Sequence, residues 1–404
     1  MAEPQRLTIV GVGADGWAGL SEPARSVVSA ADIVIGAPRH LDPLPPVAGQ
    51  RRLAWPSPLR AGLPALLTSL SAPNVVALAS GDPLLSGVGG TLVELLGADR
   101  VTVWPAVSSV ALARARLGWS AESVAVLRVA GGSPHAVLRE LAPGRRVLVL
   151  SADESTPAAV AALLVDHGYG ESRMTVLAEL GGAAESRRDA TAATFDGPVP
   201  RLNIVALELT GPLLTGWSSG LPDSAFEHDG QLTKRDLRAA ALARLLPAPG
   251  QLLWDVGAGA GSVGIEWLRA HPTCRAVAIE ANPQRAQRIA RNAHRLGVPA
   301  LRVVEGVAPD ALAGLPAPDA VFIGGGAGRD GMLAAGLAAL RPDGRLVAHG
   351  VTLETEALLA RAYREHGGEL TRIHVEHAAP LGELTGWNPA RAVTQWAYRC
   401  RAAS

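Results

Sequence analysis

The stretch from Leu252 to Glu280 holds the residues best suited to chemistry. An apolar run, LLWDV, leads into Gly257, Ala258, Gly259, Ala260 and Gly261 and then into a helix-like sequence. Such a turn takes backbone angles that side chains forbid, and it brings backbone N–H groups against a ligand at the start of a helix. Residues 259–264 also spell G-x-G-x-x-G, the dinucleotide fingerprint, and Glu280 stands at the distance expected of an acid that grips ribose hydroxyls. Two cofactors therefore compete, a nicotinamide dinucleotide and S-adenosylmethionine. Asp255 is unfavourable beside a pyrophosphate and suits the cationic methionyl end of S-adenosylmethionine, which favours methyl transfer.

A second set of candidates lies in the first half of the chain. LTIVGVGADGW puts Gly11 and Gly13 after one strand, VVALASGDP puts Gly81, Asp82 and Pro83 after another, and WPAVSSVALARA puts Ser108 and Ser109 at a strand-to-helix turn. Carboxyl ends of strands are where open sheets bind ligands. A plainer reading stands beside this one, in which Asp82 caps a helix and the serines merely begin one.

For charge and proton work, Lys234 is the only lysine and is followed by Arg235 and Arg238, a cluster suited to a substrate carboxylate. Asp229 and His228 could move protons, although each also has an ordinary structural use. Gly324, Gly325 and Gly326 make room for a bulky flat substrate or form a plain turn. His374 and His377 would point to opposite faces of one strand, so no metal site is expected.

The elements that must position these residues are legible in outline. Strand-like runs at LTIVGVG, ADIVIG, VVALASGD, VTVW, VLVLSAD and LNIVALEL alternate with Ala- and Leu-rich helical patterns. The alternation resumes after residue 226 with LLWDVGAG, AVAIE, LRVVEG, DAVFIGG and GRLVAHG, and TRIHVEH and AVTQWAYR could close a sheet as an antiparallel pair. Between them, residues 212–225 are rich in Gly, Ser and Pro without periodicity and read as a linker. With 404 residues, the expectation is two tandem α/β domains, 1–211 and 226–404.

Composition excludes several classes. Lys plus Arg and Asp plus Glu both number 37, so no overall charge draws the chain to nucleic acid or anionic lipid. No apolar run is long enough to span a bilayer, and the start does not read as an export signal. Cys274 and Cys400 fit neither a disulfide framework nor a zinc spacing, so a cytoplasmic location is expected.

The segments DVGAGAG, AIEANPQRA, VEGVAPDAL, PDAVFIGGG and GRLVAHGVTLET, with FEHDGQLTKRDLRA before them and LGELTGW and VTQW after, resemble a class I methyltransferase. More narrowly, residues 226–397 resemble the carboxy-terminal half of the precorrin-6Y C(5,15)-methyltransferase (decarboxylating) family of cobalamin biosynthesis. GAPRHL, GDP, VSS, ESTPAAVAALL, LAELGG and LNIVALEL resemble the tetrapyrrole (corrin/porphyrin) methylase fold over residues 5–210. The fold implied is a tetrapyrrole-methylase-type domain followed by a Rossmann-like class I methyltransferase domain.

The resemblance implies contacts to S-adenosylmethionine from Thr233, from Gly257 through Gly261, from Glu280 and from Ala308. It implies a second cofactor cleft along Gly11, Gly13, Gly81, Asp82, Pro83, Ser108 and Ser109. Methylation of carbon 5 falls to the first half; loss of carbon dioxide from the ring C acetate and methylation of carbon 15 fall to the second, giving precorrin-8X. Lys234, Asp229 and His349 are the catalytic candidates. His349–Gly350 departs from the pattern, since relatives usually carry a small or amide residue and then Ala. A precorrin substrate, no metal, no membrane and a homo-oligomer are expected. An RNA-modifying methyltransferase with an accessory domain is the competing reading, because both folds also host RNA enzymes. Neutral charge and the lack of a nitrogen-methylation motif after the fourth strand of the second half weigh against it.

Overall fold

The computed structural model describes residues 6–129, 132–213 and 216–400. The chain divides into two compact units, Met1–Gly132 with Pro143–Pro212, and Ser133–Ala142 with Leu213–Ser404. Two features depart from the expected boundaries. Residues 133–142 belong to the second unit although they lie within the first half of the sequence. The stretch expected as a linker is also partly packed, with Leu221 buried in the core of the second unit and the Gly220 and Leu221 amides donating to Glu266.

The first unit carries two five-stranded sheets. In the first, strands β1 (Leu7–Val12), β2 (Ile33–Gly36), β3 (Arg51–Ala54), β4 (Val75–Ser80) and β5 (Val101–Trp104) are all parallel, in the order β3-β2-β4-β1-β5. Strands β1, β2 and β4 are apolar on both faces because both faces are covered, which is why they read as near-continuous hydrophobic runs. The second sheet is mixed. Strands β6 (Val124–Arg128), β7 (Arg146–Leu150), β8 (Arg173–Ala178), β9 (Ser186–Thr191) and β10 (Asn203–Glu208) lie in the order β6-β7-β10-β8-β9, with only β6 and β7 parallel.

The second unit is built on a seven-stranded sheet. Its strands are β11 (Leu252–Val256), β12 (Arg275–Glu280), β13 (Arg302–Glu305), β14 (Ala320–Ile323), β15 (Arg345–Gly350), β16 (Glu369–Ile373) and, after a separate hairpin of β17 (Glu376–Leu381) and β18 (Leu384–Pro389), β19 (Val393–Arg399). The order β13-β12-β11-β14-β15-β19-β16 is parallel through β15, and β19 and β16 close it as the expected antiparallel pair. Side chains alternate faces. Leu253, Ala278, Phe322 and Val347 enter one core, while Trp254, Ile279, Val321 and Ala348 enter the other. The chain leaves β16 at Ile373 and begins β17 at Glu376, so His374 and His377 do not share one strand as the sequence suggested. Among the described residues no helix is long and apolar enough to cross a membrane, and no cluster of His, Cys, Asp and Glu could hold a metal ion.

Candidate functional sites

In the second unit, β11 lies between β12 and β14, so strand order reverses there, and the carboxyl end of such a strand is where open α/β sheets bind ligands. The glycine turn stands at that point. Gly259 has φ of +58°, and a Cβ on it would lie 2.6 Å from the Gln231 carbonyl oxygen, so this position needs glycine for both angle and space. The segment before helix Arg235–Leu245 therefore crosses directly over the turn. Its next residues approach β14, since a Cβ on Gly324 would lie 3.6 Å from Thr233 Oγ1. Thr233 is thus brought to the same carboxyl edge as Gly257 through Gly261.

Glu280 ends β12 as expected, and its carboxylate is already anchored. Oε2 accepts from the Gly259 amide at 2.8 Å and Oε1 from the Asn282 amide at 2.9 Å. Each oxygen keeps a second lone pair, so the group can hold the turn and still accept from a diol. Ala308 follows β13 beside this edge, with its side chain packed into the core.

Other expectations are corrected. Asp255 does not face a ligand: it is buried and accepts from the Gly264 amide at 2.8 Å in the first turn of helix Ser262–Ala270. Burial pushes its carboxyl up to about 7, and the Glu280 charge adds to that. Asp229 is ion-paired to Arg285 at 2.9 Å and to Arg288 at 3.2 Å. Its hydrogen bond from Arg285 is the largest cause holding it well below the usual carboxylate range, so it has no proton to give at neutral pH. Arg238 is fully buried and bonded to Glu266, Asp223 and two carbonyls, which removes it from the substrate-facing cluster. Lys234 is half-exposed and lies 3.6 Å from Asp223.

His349 stands at the level of the glycine turn, because Ala348 pairs with Ile323 and Ile323 with Val256. It is buried, its ring meets Phe322 edge-on at 5.1 Å, and its Nε2 lies 2.9 Å from Gln395 Oε1. An amide oxygen only accepts, so in this arrangement Nε2 carries the proton. Burial lowers the imidazole pKa, which keeps the ring neutral. In the sequence Gln395 stands out only as part of VTQW; its pairing with His349 depends on β19 returning antiparallel to β15.

In the first unit, β1 lies between β4 and β5, and a cleft of about 890 Å³ includes Gly13, Gly81, Asp82, Ser108 and Ser109 in its lining. Five of the seven expected cofactor residues are therefore together. Gly11 and Pro83 lie behind the lining. A Cβ on Gly11 would come within 2.1 Å of the Gly81 carbonyl oxygen, so Gly11 permits two strand ends to meet. Ser108 accepts from the Ala111 amide as the N-cap of helix Ser109–Leu117, so its plainer role holds, whereas Asp82 accepts from the Leu84 amide within a turn and the next helix, Val88–Leu96, starts only after Gly87, so Asp82 closes a local turn and does not cap that helix. The cleft also collects Arg39, His40, Ser80, Glu179 and Arg201, which sequence reasoning missed. The only signal was GAPRHL, which carries a basic pair just after a buried strand.

Comparisons with known proteins agree with this division. A model of tetrapyrrole (corrin/porphyrin) methylases matches residues 6–196, and a precorrin methyltransferase domain model matches residues 224–400. The chain is 46% identical over 396 residues to precorrin-6Y C(5,15)-methyltransferase (decarboxylating) of Sinorhizobium sp, covering 97% of this chain and 96% of the relative. Two relatives match less than half of it. One is a probable cobalt-precorrin-6B C(15)-methyltransferase (decarboxylating) of Pyrobaculum calidifontis, 35% identical over 44% of this chain and 96% of the relative. The other is cobalt-precorrin-7 C(5)-methyltransferase of Salmonella typhimurium, 31% identical over 42% of this chain and 83% of the relative.

Proposed function

This chain belongs to the family of decarboxylating precorrin-6Y C(5,15)-methyltransferases, and from that premise we propose how its two units share the reaction. It is a methyltransferase of cobalamin biosynthesis that methylates precorrin-6Y at carbons 5 and 15 with decarboxylation. In our reading the first unit methylates carbon 5. The second removes carbon dioxide from the ring C acetate and methylates carbon 15, giving precorrin-8X. The half-length relatives, whose names specify one carbon each, support that partition.

Each unit would take S-adenosylmethionine, which supplies an electrophilic methyl group when bound. The residues fit it. In the second unit Gly257, Ala258, Gly259, Ala260 and Gly261 form the turn at the end of β11, where a Cβ on Gly259 would collide with the Gln231 carbonyl of the segment crossing it, and Glu280 keeps acceptor capacity for ribose hydroxyls. Thr233, whose Oγ1 lies 3.6 Å from where a Cβ on Gly324 would stand, and Ala308 lie at the same edge. In the first unit Gly13, Gly81, Asp82, Ser108 and Ser109 line the cleft, with Gly11 and Pro83 supporting it.

The work left to the chain is orientation and exclusion of water, since an electron-rich macrocycle carbon held in line with a methyl donor needs no strong base. Gly325, where a Cβ would meet nothing within 4 Å, leaves space at the edge of β14 for a flat ring, whereas Gly324 is glycine beside the Phe322 ring, 2.9 Å from where its Cβ would stand. A carboxylate drawn into a dry site loses carbon dioxide more readily than one in water. Neutral His349, held by Gln395, is the candidate for moving a proton there. Lys234 stays a candidate for contact with the substrate, acting beside Asp223.

The observation that carries this reading is that each unit sets a glycine turn at the reversal point of a parallel sheet. A cytoplasmic location and a homo-oligomer belong to it, the latter supported by the exposure of Leu381, Leu384 and Trp387 on the β17–β18 hairpin. The balance of 37 basic and 37 acidic residues supports a small-molecule partner over RNA. The test is the mass of the product formed from precorrin-6Y and S-adenosylmethionine by the full chain. Two methyl groups gained and one carbon dioxide lost are expected; Glu280→Gln should leave only the carbon 5 methyl. An unchanged mass with the intact chain overturns the assignment.

A further inference from the structure

The unexpected residues of the first unit's cleft form an ordered arrangement. Arg39, on the short helix Pro38–Leu41 just after β2, donates from Nη2 to Ser80 Oγ at 2.6 Å and from Nε to His40 Nε2 at 3.2 Å. A guanidinium only donates, so His40 Nε2 accepts and the ring is neutral with its proton on Nδ1. That Nδ1 is buried and has no hydrogen-bond partner among the described residues. Burial and then the Arg39 charge hold His40 down to about 4, so it stays neutral and leaves the positive charge to the arginine.

Arg201, just before β10, lines the same cleft. Its charge is close enough to Arg39 to add to the lowering that burial causes there, while Glu179 opposes it. Neither arginine forms an ion pair with a carboxylate among the described residues, in contrast with Arg116, Arg187 or Arg291. Two guanidiniums thus face one cleft whose lining also includes Asp15, Asp82 and Glu179, and Asp153 lies close enough to feel the Arg201 charge, yet none of these carboxylates is ion-paired to either arginine among the described residues. Glu179 is itself held at φ of +50°, a backbone region rare for a residue with a side chain. Guanidiniums that no carboxylate engages directly keep their donors for an anion that arrives from outside.

We propose that Arg39 and Arg201 are the specificity residues that grip a carboxylate arm of the macrocycle in the first unit, with buried His40 and Ser80 setting the angle of Arg39. This rests on the reading that the first unit methylates carbon 5. A planar fork suits a carboxylate in two-point contact, and two forks, one just after β2 and one just before β10, fix the rotation of a flat ring, hence which bridge carbon meets the methyl group. The cofactor also carries a carboxylate, so the test must separate the two sources.

The experiment uses the full chain with Arg201→Gln and Arg39→Ala, following methylation at carbon 5 against methylation at carbon 15 in the same product. The concentration of substrate needed for half-maximal carbon 5 methylation should rise roughly 10- to 100-fold in either variant, the loss expected for one charge-assisted hydrogen bond. The S-adenosylmethionine requirement and the carbon 15 reaction should stay as in the wild type. Arg201→Gln guards against misfolding, since the Arg201 side chain makes no hydrogen bond or ion pair among the described residues, and Arg39→Lys should recover part of the loss. An unchanged substrate requirement overturns the proposal. A raised cofactor requirement with normal substrate dependence also overturns it and gives the arginines to the cofactor carboxylate. Failure of the wild type to methylate carbon 5 instead overturns the underlying reading.

Discussion

Arg238 offers the sharpest test of how the second unit positions its site. The side chain is fully buried, with Nε 2.5 Å from Glu266, Nη1 3.3 Å from Asp223 and also on the Thr233 carbonyl, and Nη2 on the Leu221 carbonyl. The Phe226 ring lies 4.8 Å from the guanidinium carbon. Arg238→Met keeps most of the stem volume and removes the charge. Glu266, only 2% exposed at its side chain, would keep its bonds from the Gly220 and Leu221 amides but lose its counter-ion. An uncompensated buried charge of this kind costs about 3–5 kcal/mol, against a total stability of roughly 5–15 kcal/mol for a domain. Urea unfolding followed by the buried Trp267 and Trp396 should therefore show a large drop in midpoint for the second unit. Glu266→Gln added to Arg238→Met should cost less than the two single changes together, by about 0.5–3 kcal/mol. A loss below about 1 kcal/mol for Arg238→Met, or strict additivity in the double variant, would refute the argument that this pair is the clamp. Since the clamp holds the Thr233 carbonyl, cofactor affinity of the second unit should fall with it.

Three further outcomes follow from the geometry. Gly259→Ala places a Cβ 2.6 Å from the Gln231 carbonyl oxygen, so carbon 15 methylation and carbon dioxide release should fall at least about tenfold while carbon 5 methylation continues, as read by product mass. Asp229→Asn should leave the pH profile of carbon dioxide release unchanged, because the wild-type carboxylate is held ionised by Arg285 and Arg288; a displaced profile would restore it as a proton donor. Asp255 is raised by burial to about 7, so the folded state keeps its proton to higher pH than the unfolded one. Its stabilising contribution is complete below the ordinary carboxylate value and disappears as pH rises through about 7. The melting temperature of the wild type should accordingly decline against that of Asp255→Asn between pH 5 and 8, and a constant difference would contradict the shift.

What the sequence reveals depends on how each element meets water. Strands β1, β4 and β11 are covered on both faces, so their apolar runs stand out between glycines. Strand β9, SRRDAT, has its first four residues exposed, and β3, RRLA, is also polar; both lie at sheet edges, and neither leaves a hydrophobic pattern to read. The glycine turn and Glu280 were legible because backbone angles and ribose recognition restrict residue type at fixed spacing. Asp255 was misread because its charge was weighed against a ligand, whereas its neighbour across the fold is the amide of Gly264. Arg238 was misread for a related reason: whether a helical arginine faces solvent or core depends on Glu266, which belongs to another helix. Arg39, His40 and Arg201 converge only after the sheets form, and no local spacing announces that.

The disposition of charge bears on why one chain would use two units. A carboxylate that must leave as carbon dioxide reacts fastest when nothing stabilises its charge in the ground state, so a free arginine beside it would slow the step by binding the reactant better than the transition state. Around the glycine turn of the second unit several cations are already engaged, Lys234 and Arg238 with Asp223 and Glu266, Arg285 and Arg288 with Asp229, whereas Arg329 beside Gly326 forms no ion pair among the described residues. What remains at the end of β15 is a neutral histidine and an amide. In the first unit Arg39 and Arg201 form no ion pair among the described residues, which on the proposed division of labour suits a methylation that must grip acidic arms without consuming them. On this argument the two steps place contrary electrostatic demands on a site, and a single cleft optimised for recognition would be a poor decarboxylase.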